Sequence, residues 1–278
     1  MRIAQITDMH VKRQGEMLTP GLDSYAALGA ALRRIDGLDP RPDLMVATGD
    51  LTADGKPEEY AALRDLLSGL DMPCLLLPGN HDNRENLRDA FPDQPWEDGQ
   101  FLLYAVDDWP VRIVALDSVV AGKPHGEICA GRCRWLDKTL SGQPDKPTIV
   151  MFHHPPFVTG IAYMDAMGLA DPSGLAEVIG RHKQVIRVLC GHIHRPIQTM
   201  FAGTAASVAP ATSFQVGLDL IDPNSILLTK EPPAFQLHNW TPESGLVSHT
   251  VYVEEYGSWV RPAHYKSASA LEAEAEEN

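Results

Sequence analysis

With 278 residues, 23 Lys and Arg against 37 Asp and Glu, and a net charge of -14, the chain has room for one large α/β domain or a domain with an appended subdomain, and its charge excludes general attraction to DNA or an anionic membrane. No segment approaches the roughly 18 to 20 apolar residues that span a bilayer, and the opening MRIAQITDMH lacks a signal-peptide pattern, so a cytoplasmic protein with no membrane and no nucleic acid polymer as partner is expected. Cys74 and Cys190 lie in apolar runs, and Cys129 and Cys133 have no second Cys/His pair to make a zinc site, so all four cysteines read as reduced.

In chain order, strand-length apolar runs occur at Arg2 to Thr7, Leu44 to Thr48, Cys74 to Leu77, Val111 to Asp117, Thr148 to Phe152 and Val185 to Cys190. Helical patterns lie between them. Ser24 to Ile35 sets Tyr25, Leu28, Leu32 and Ile35 on one face, and Pro57 to Leu67 opens with Pro-Glu-Glu, a good first turn. Arg132 to Leu140 and Ser173 to His182 follow. Strands alternating with helices indicate an α/β fold, and strands apolar along their whole length indicate cover on both faces. After Arg195 the texture changes to period-two segments (PIQTMF, TSFQVGLDL, AFQLHNW, LVSHTVYVEEY), read as antiparallel strands closing a second sheet or a cap. The resulting division is a core over 1–200, C-terminal strands and cap over 201–262, and a solvated acidic tail over 263–278.

Polar clusters close five of the apolar runs: Asp8-Met9-His10, Gly49-Asp50, Gly79-Asn80-His81-Asp82, His153-His154-Pro155 and Gly191-His192-Ile193-His194. In an open α/β sheet the carboxyl ends of neighbouring strands converge on one crevice. Asp8, His10, Asp50, Asn80, His153, His192 and His194 would bring imidazole nitrogens and oxygens there without thiolate, a set suited to Mn, Fe, Zn or Co. In Asp8-x-His10 and His192-x-His194 the two members point the same way from an extended backbone. So many donors exceed what one ion needs, and two ions about 3.5 to 4 Å apart require a bridging carboxylate, for which Asp50, alone in its cluster, is the natural choice. A lone His or Asp after a strand is ordinarily turn chemistry, and five coincident clusters change that weighting. His154 reads as orienting the Pro155-Pro156 turn, Asp82 and Asn83 as anchoring the loop or capping the next helix, and Asp117 as a turn anchor. The remaining histidines read as structural or surface groups, with His238 set apart by its place in the cap-like region.

These motifs, with Asp54 completing Gly49-Asp50-x-x-x-Asp54, resemble the calcineurin-like metallophosphoesterase family, in the family's order over the first 194 residues. The short Ile-Thr-Asp-Met-His opening, GDLTADGKPEEY and LLLPGNHD most resemble its bacterial class III cyclic-nucleotide phosphodiesterases and glycerophosphodiesterases. The resemblance implies two packed mixed β-sheets flanked by helices, self-association as a dimer or higher oligomer, and two first-row metal ions. Asp8, His10, Asp50 and His194 would hold one ion, and Asp50, Asn80, His153 and His192 the other, with His153 preferred to His154 because the family's ligand precedes Pro by two.

Two cations on a phosphate neutralise its oxygens and lower the pKa of a shared water, so no protein nucleophile is required. His81 stands where a general acid for the leaving oxygen would be. The expected activity is hydrolysis of small soluble phosphodiesters, 3',5'-cyclic AMP first, with glycerophosphodiesters, a broader phosphodiesterase or phosphomonoesterase activity, and a non-catalytic scaffold as alternatives. Lys12, Arg13, Asn83, Arg84, Arg195 and Phe214 are the expected pocket walls.

Overall fold

The computed structural model describes residues 1–257; the acidic stretch 263–278 lies outside them. The elements run β1 (Arg2–Ile6), α1 (Ser24–Asp36), β2 (Leu44–Thr48), α2 (Pro57–Leu67), β3 (Cys74–Leu77), α3 (Arg84–Ala90), β4 (Tyr104–Val106), β5 (Arg112–Ala115), β6 (Gly126–Glu127), α4 (Ala130–Ser141) and β7 (Thr148–Met151). They continue through α5 (Ala162–Asp165), β8 (Leu169–Ala170), α6 (Ser173–Arg181), β9 (Val185–Cys190), β10 (Ile197–Phe201), β11 (Thr204–Val208), β12 (Gln215–Val216), β13 (Leu228–Thr229), β14 (Ala234–Thr241) and β15 (Gly245–Tyr252).

Two mixed sheets result, ordered β15-β14-β1-β2-β3 and β10-β11-β9-β7-β5-β4. In the first, β1, β2 and β3 are parallel, with Ile3 opposite Leu44 and Met45 opposite Cys74. In the second, β5, β7, β9 and β11 are parallel. Successive side chains point to opposite faces of a strand, and here both faces are buried. Ile3, Leu44, Val46 and Leu75 meet Ile113, Ala115, Ile149 and Met151 between the sheets. Ala4, Ile6, Met45 and Ala47 face Leu28, Leu32 and Ile35 of α1 and Tyr60 and Leu63 of α2. Val114, Val150 and Val188 face Leu136 and Leu140 of α4 and Leu175 and Val178 of α6 on the far side. This helix-sheet-sheet-helix layering is why the strands read as apolar throughout.

The C-terminal strands join both sheets: β10 and β11 extend the second, and β14 and β15 the first, against β1. TSFQVGLDL, expected as a strand, is one only at Gln215–Val216, which lies outside both large sheets; beyond it the chain loops out and returns as β13 to pair with β12 in a two-stranded sheet of their own. Aspartates at 219 and 222 accept from Ile221 N and Ser225 Oγ there, turn chemistry that competes with a ladder.

Polar contacts also cross between the sheets: the Tyr104 hydroxyl donates to the Leu76 carbonyl at 2.6 Å, and Gln5 makes a larger network. Gln5 Nε2 donates to Thr48 Oγ1 and to the Cys190 carbonyl, both at 3.0 Å. Its Oε1 accepts from His238 Nε2 at 3.1 Å, and His238 Nδ1 accepts from Ser248 Oγ at 2.7 Å. His238 is thus a structural group pinning β14 to β1. Burial, aided by the Arg187 charge, depresses its pKa from 6.5 to about 3, so the folded state refuses a proton that the unfolded chain accepts. Its contribution is whole above pH 6.5 and is lost as pH falls toward 3. His238→Gln is expected to lose roughly 1 kcal/mol less stability than the parent between pH 7.5 and 5.5, read from urea midpoints; equal losses would mean that His238 takes up its proton in the fold as readily as in the unfolded chain.

Candidate metal centre

Five parallel strands, β1, β2 and β3 of one sheet and β7 and β9 of the other, end at the same edge of the molecule, and the polar clusters follow them directly. The ladder continues a little past β1: Asp8 N donates to the Gly49 carbonyl and His10 N to that of Asp50, each at 3.0 Å. The chain then turns hard. Five of the seven non-glycine residues with positive φ among the described residues are Asp8, His10, Asp50, His192 and His194 (φ from 45° to 73°). Such backbone is costly for a residue with a Cβ and persists where the surroundings over-determine it.

Glycines let the strand ends approach. A Cβ at Gly79 would fall on the backbone nitrogen and carboxylate of Asp50, and one at Gly191 on the Thr7 hydroxyl and Thr48 carbonyl.

The donors converge in two groups, with one ligand atom from each of Asp8, His10, Asp50 and His194 lying within 4.8 Å of the others, and likewise for His153, His154 and His192. Asp50 spans the groups, its Oδ2 3.7 Å from His10 Nε2 and 3.4 Å from His153 Nε2. His194 Nε2 lies 3.3 Å from Asp8 Oδ1 and 3.1 Å from His10 Nε2.

Second contacts aim these groups. His153 Nδ1 donates to the Thr48 carbonyl at 2.8 Å and His194 Nδ1 to that of Phe214 at 3.2 Å, leaving each Nε2 lone pair turned inward. The backbone N–H of His192 donates to both Asp8 oxygens and that of His81 to Asp50 Oδ1. Asp82 accepts from Leu51 N, Gly79 N and the Tyr60 hydroxyl, and burial with the Asp50 charge pushes its pKa up to about 6. It anchors the loop, and Asn83 caps α3 by accepting from Asn86 N.

Of the ten buried side-chain atoms without a hydrogen-bond partner among the described residues, three belong to this site: Asn80 Oδ1, His153 Nε2 and His192 Nε2. Unpaired buried acceptors are costly, and three converging at one place are what a cation would satisfy. Burial depresses the pKa of His10 and of His192 to about 3, so both rings are neutral and offer a lone pair. At His153 burial opposes a proton, yet Asp50 and Asp8 raise its pKa to about 9, the proton doing there what a metal ion would do. Donor type, spacing and these vacant lone pairs fit a dinuclear site for divalent first-row ions. His154 differs. Its Nδ1 accepts from Ser118 Oγ at 2.8 Å and its Nε2 donates to the Pro124 carbonyl at 3.1 Å, so neither nitrogen is free.

Above the donors opens a cavity of about 360 Å³ whose walls depart from the expected ones. Of the six residues named from sequence only Phe214 lines it. Lys12 is taken up by Asp54 (2.7 Å) and Glu59 (3.1 Å), Arg84 by Asp117 (2.6 Å), which thereby acts as an anchor, and Arg195 by Glu231 (2.7 Å). Leu18, Leu22, Met164, Met167, Ile226 and Leu228 take their place, and no sequence signal set these apart from core residues. A larger groove of about 660 Å³ between α4 and α6 holds none of the metal donors.

Residues 1–196 match the calcineurin-like phosphoesterase family. The chain belongs to that family. A probable glycerophosphodiester phosphodiesterase of Arcobacter nitrofigilis is 38% identical over 92% of this chain and 94% of its own, and a glycerophosphodiester phosphodiesterase of Enterobacter lignolyticus is 33% identical over 95% and 96%. The 3',5'-cyclic adenosine monophosphate phosphodiesterase of Escherichia coli K12 is 31% identical over 77% of each chain. A dimetal phosphatase from Danio rerio shares the fold at a TM-score of 0.66 over 91% of this chain and 99% of its own, with 14% identity. With its two His/Asp donor clusters this chain is a metal-dependent hydrolase. Among its described residues no helix is long and apolar enough to cross a membrane.

Gly79→Ala is expected to cost about 1 to 3 kcal/mol of stability and to lower bound metal, because the added methyl must push Asp50 aside. Unchanged melting temperature and unchanged metal content would show that the strand ends can part freely.

Proposed function

We propose that Asp8, His10, Asp50 and His194 hold one metal ion and Asp50, Asn80, His153 and His192 a second, and that the site hydrolyses open phosphodiesters of the glycerophosphodiester kind. The observation that carries the metal assignment is the trio of unpartnered atoms on Asn80, His153 and His192. For the substrate, relatives named for glycerophosphodiesters match along nearly the whole chain. Among the described residues, besides the donors and His81, Thr19 is the one polar side chain lining the cavity, so little is available to read a purine base. The expectation of cyclic AMP as the first substrate accordingly yields to the open diester.

Bound metal ions would supply positive charge against the phosphoryl oxygens and an acidified water. The chain's own groups do the rest. Asp50, held in place by the His81 N–H on its Oδ1, would be the carboxylate shared by the two ions. His81 Nδ1 donates to the Ala53 carbonyl at 2.8 Å, which leaves Nε2 as the ring atom available to the cavity it lines. Burial opposes a proton on this ring, but the Asp50 charge and the Ala53 carbonyl outweigh it and raise its pKa, as a proton donor to a leaving alkoxide requires.

Chelation should abolish turnover, with recovery on adding Mn, and Asp50→Ala should not recover. Asn80→Ala is expected to reduce bound metal from two ions to about one per chain by elemental analysis. His81→Ala should slow glycerophosphocholine hydrolysis about 100-fold while slowing a p-nitrophenyl diester, whose leaving group needs no proton, less than about tenfold. Equal slowing of both would remove His81 as the acid. Comparison of glycerophosphocholine, 3',5'-cyclic AMP and a phosphomonoester tests the substrate assignment, and faster turnover of cyclic AMP would overturn it.

A further inference from the structure

The cavity wall and the surface beside its mouth form one apolar strip. Leu18 and Leu22 stand on the loop after β1, Met164 and Met167 on and just after α5, Ile226 near the end of the loop before β13, and Leu228 at the start of β13. The 217–227 loop that joins β12 to β13 continues this wall outward, with Leu218 60%, Leu220 58%, Ile221 90% and Leu227 54% exposed. It is a built surface: Ile221 N donates to Asp219 Oδ1 at 2.9 Å, Ser225 Oγ to Asp222 Oδ2 at 2.6 Å, and Gly217 N to the Leu227 carbonyl at 2.7 Å. Its tip reaches the opposite wall, where a Cβ at Gly160, four residues before Met164, would lie 3.5 Å from Leu220 Cδ2. On a chain of net charge -14 such a patch does not suit an anionic bilayer. Its leucines and isoleucine lie beside the mouth of a cavity that the candidate metal donors His10, Asp50, Asn80, His192 and His194 also line.

Resting on the phosphodiesterase reading, we propose that the preferred substrates are amphiphilic phosphodiesters, one ester group of which carries a long alkyl or acyl chain lying first along the cavity wall and then along the 217–227 loop. Hydrolysis is the ordinary one. Water oxygen bonds to phosphorus, one P–O ester bond breaks, and its oxygen leaves as an alcohol after taking a proton, giving a phosphomonoester. A chain seated this way removes from water both its own methylenes and the exposed leucines.

The test is kcat/KM of the Mn-loaded protein for methyl, butyl and octyl p-nitrophenyl phosphodiesters, each below its micelle concentration. The expected result is a rise of roughly threefold to fourfold per methylene through butyl, the factor that burying a CH₂ provides. Leu220→Ser with Ile221→Ser should cut the octyl-to-methyl ratio about tenfold, a readout independent of how much of the variant folds. A flat or falling series overturns the proposal while leaving the phosphodiesterase reading intact. An unchanged ratio in the variant, accompanied by a halved sedimenting mass, overturns it by showing that the loop covers a second copy of the chain. No turnover of any diester, methyl included, overturns both readings together.

Discussion

Two carboxylates and four imidazoles meet out of reach of solvent where five strands end, and that crowding governs the molecule. Asp8 and Asp50 are buried with His10, His153, His192 and His194, and no arrangement of protons gives every one of their lone pairs a partner. Such a cluster is tolerable only if positive charge enters it. Metal binding is therefore part of what makes the fold acceptable, and the left-handed backbone at Asp8, His10, Asp50, His192 and His194 is held in place by the same contacts that bring in the ions.

Around this centre lies a shell that touches no metal donor with a free lone pair yet fixes where those donors stand. Asp82 ties the Asn80 loop to the backbone after β2 through Leu51 N and Thr52 N. Asp117, at the carboxyl end of β5, grips Arg84 in two places and accepts from Val119 N and Leu102 N, while its own carbonyl accepts from Arg132. Ser118 beside it holds His154, whose ring lies 4.9 Å from that of His153. A histidine adjacent in sequence to the proposed ligand His153 thus serves as packing and as a link to the β5 edge.

Much of this could be read from the chain because strand ends carry a distinctive chemistry. Short apolar runs stopping at Gly or Pro before His, Asp and Asn mark both the sheet edge and the candidate donors, and the helices of α1, α2, α4 and α6 announced themselves by apolar spacing. What escaped had weaker physics behind it. β11 (Thr204–Val208) is small and partly hydroxylic, so its sequence carries no alternation, and Gln215 to Leu220 alternates without being a strand for more than two residues. The cavity walls were misplaced because Lys12, Arg84 and Arg195 look like free cations in a sequence and are each claimed by a carboxylate in the fold. Whether a charge is available depends on a partner tens of residues away. The leucines and methionines that do line the cavity are indistinguishable in sequence from those of the core.

The proposed donors divide unevenly but completely by layer: Asp8, His10, Asp50 and Asn80 follow strands of one sheet, and His153, His192 and His194 follow strands of the other. Elsewhere the two sheets meet mainly through apolar side chains, which resist separation more than sliding, with Gln5 and the Cys190 carbonyl as a polar contact across the gap. Ions shared between the two sets of ligands would pin the layers at one edge. Interlayer shear and metal occupancy then become a single mechanical variable, and a change that loosens the slip plane far from the edge would surface as a change in the spacing of the catalytic pair.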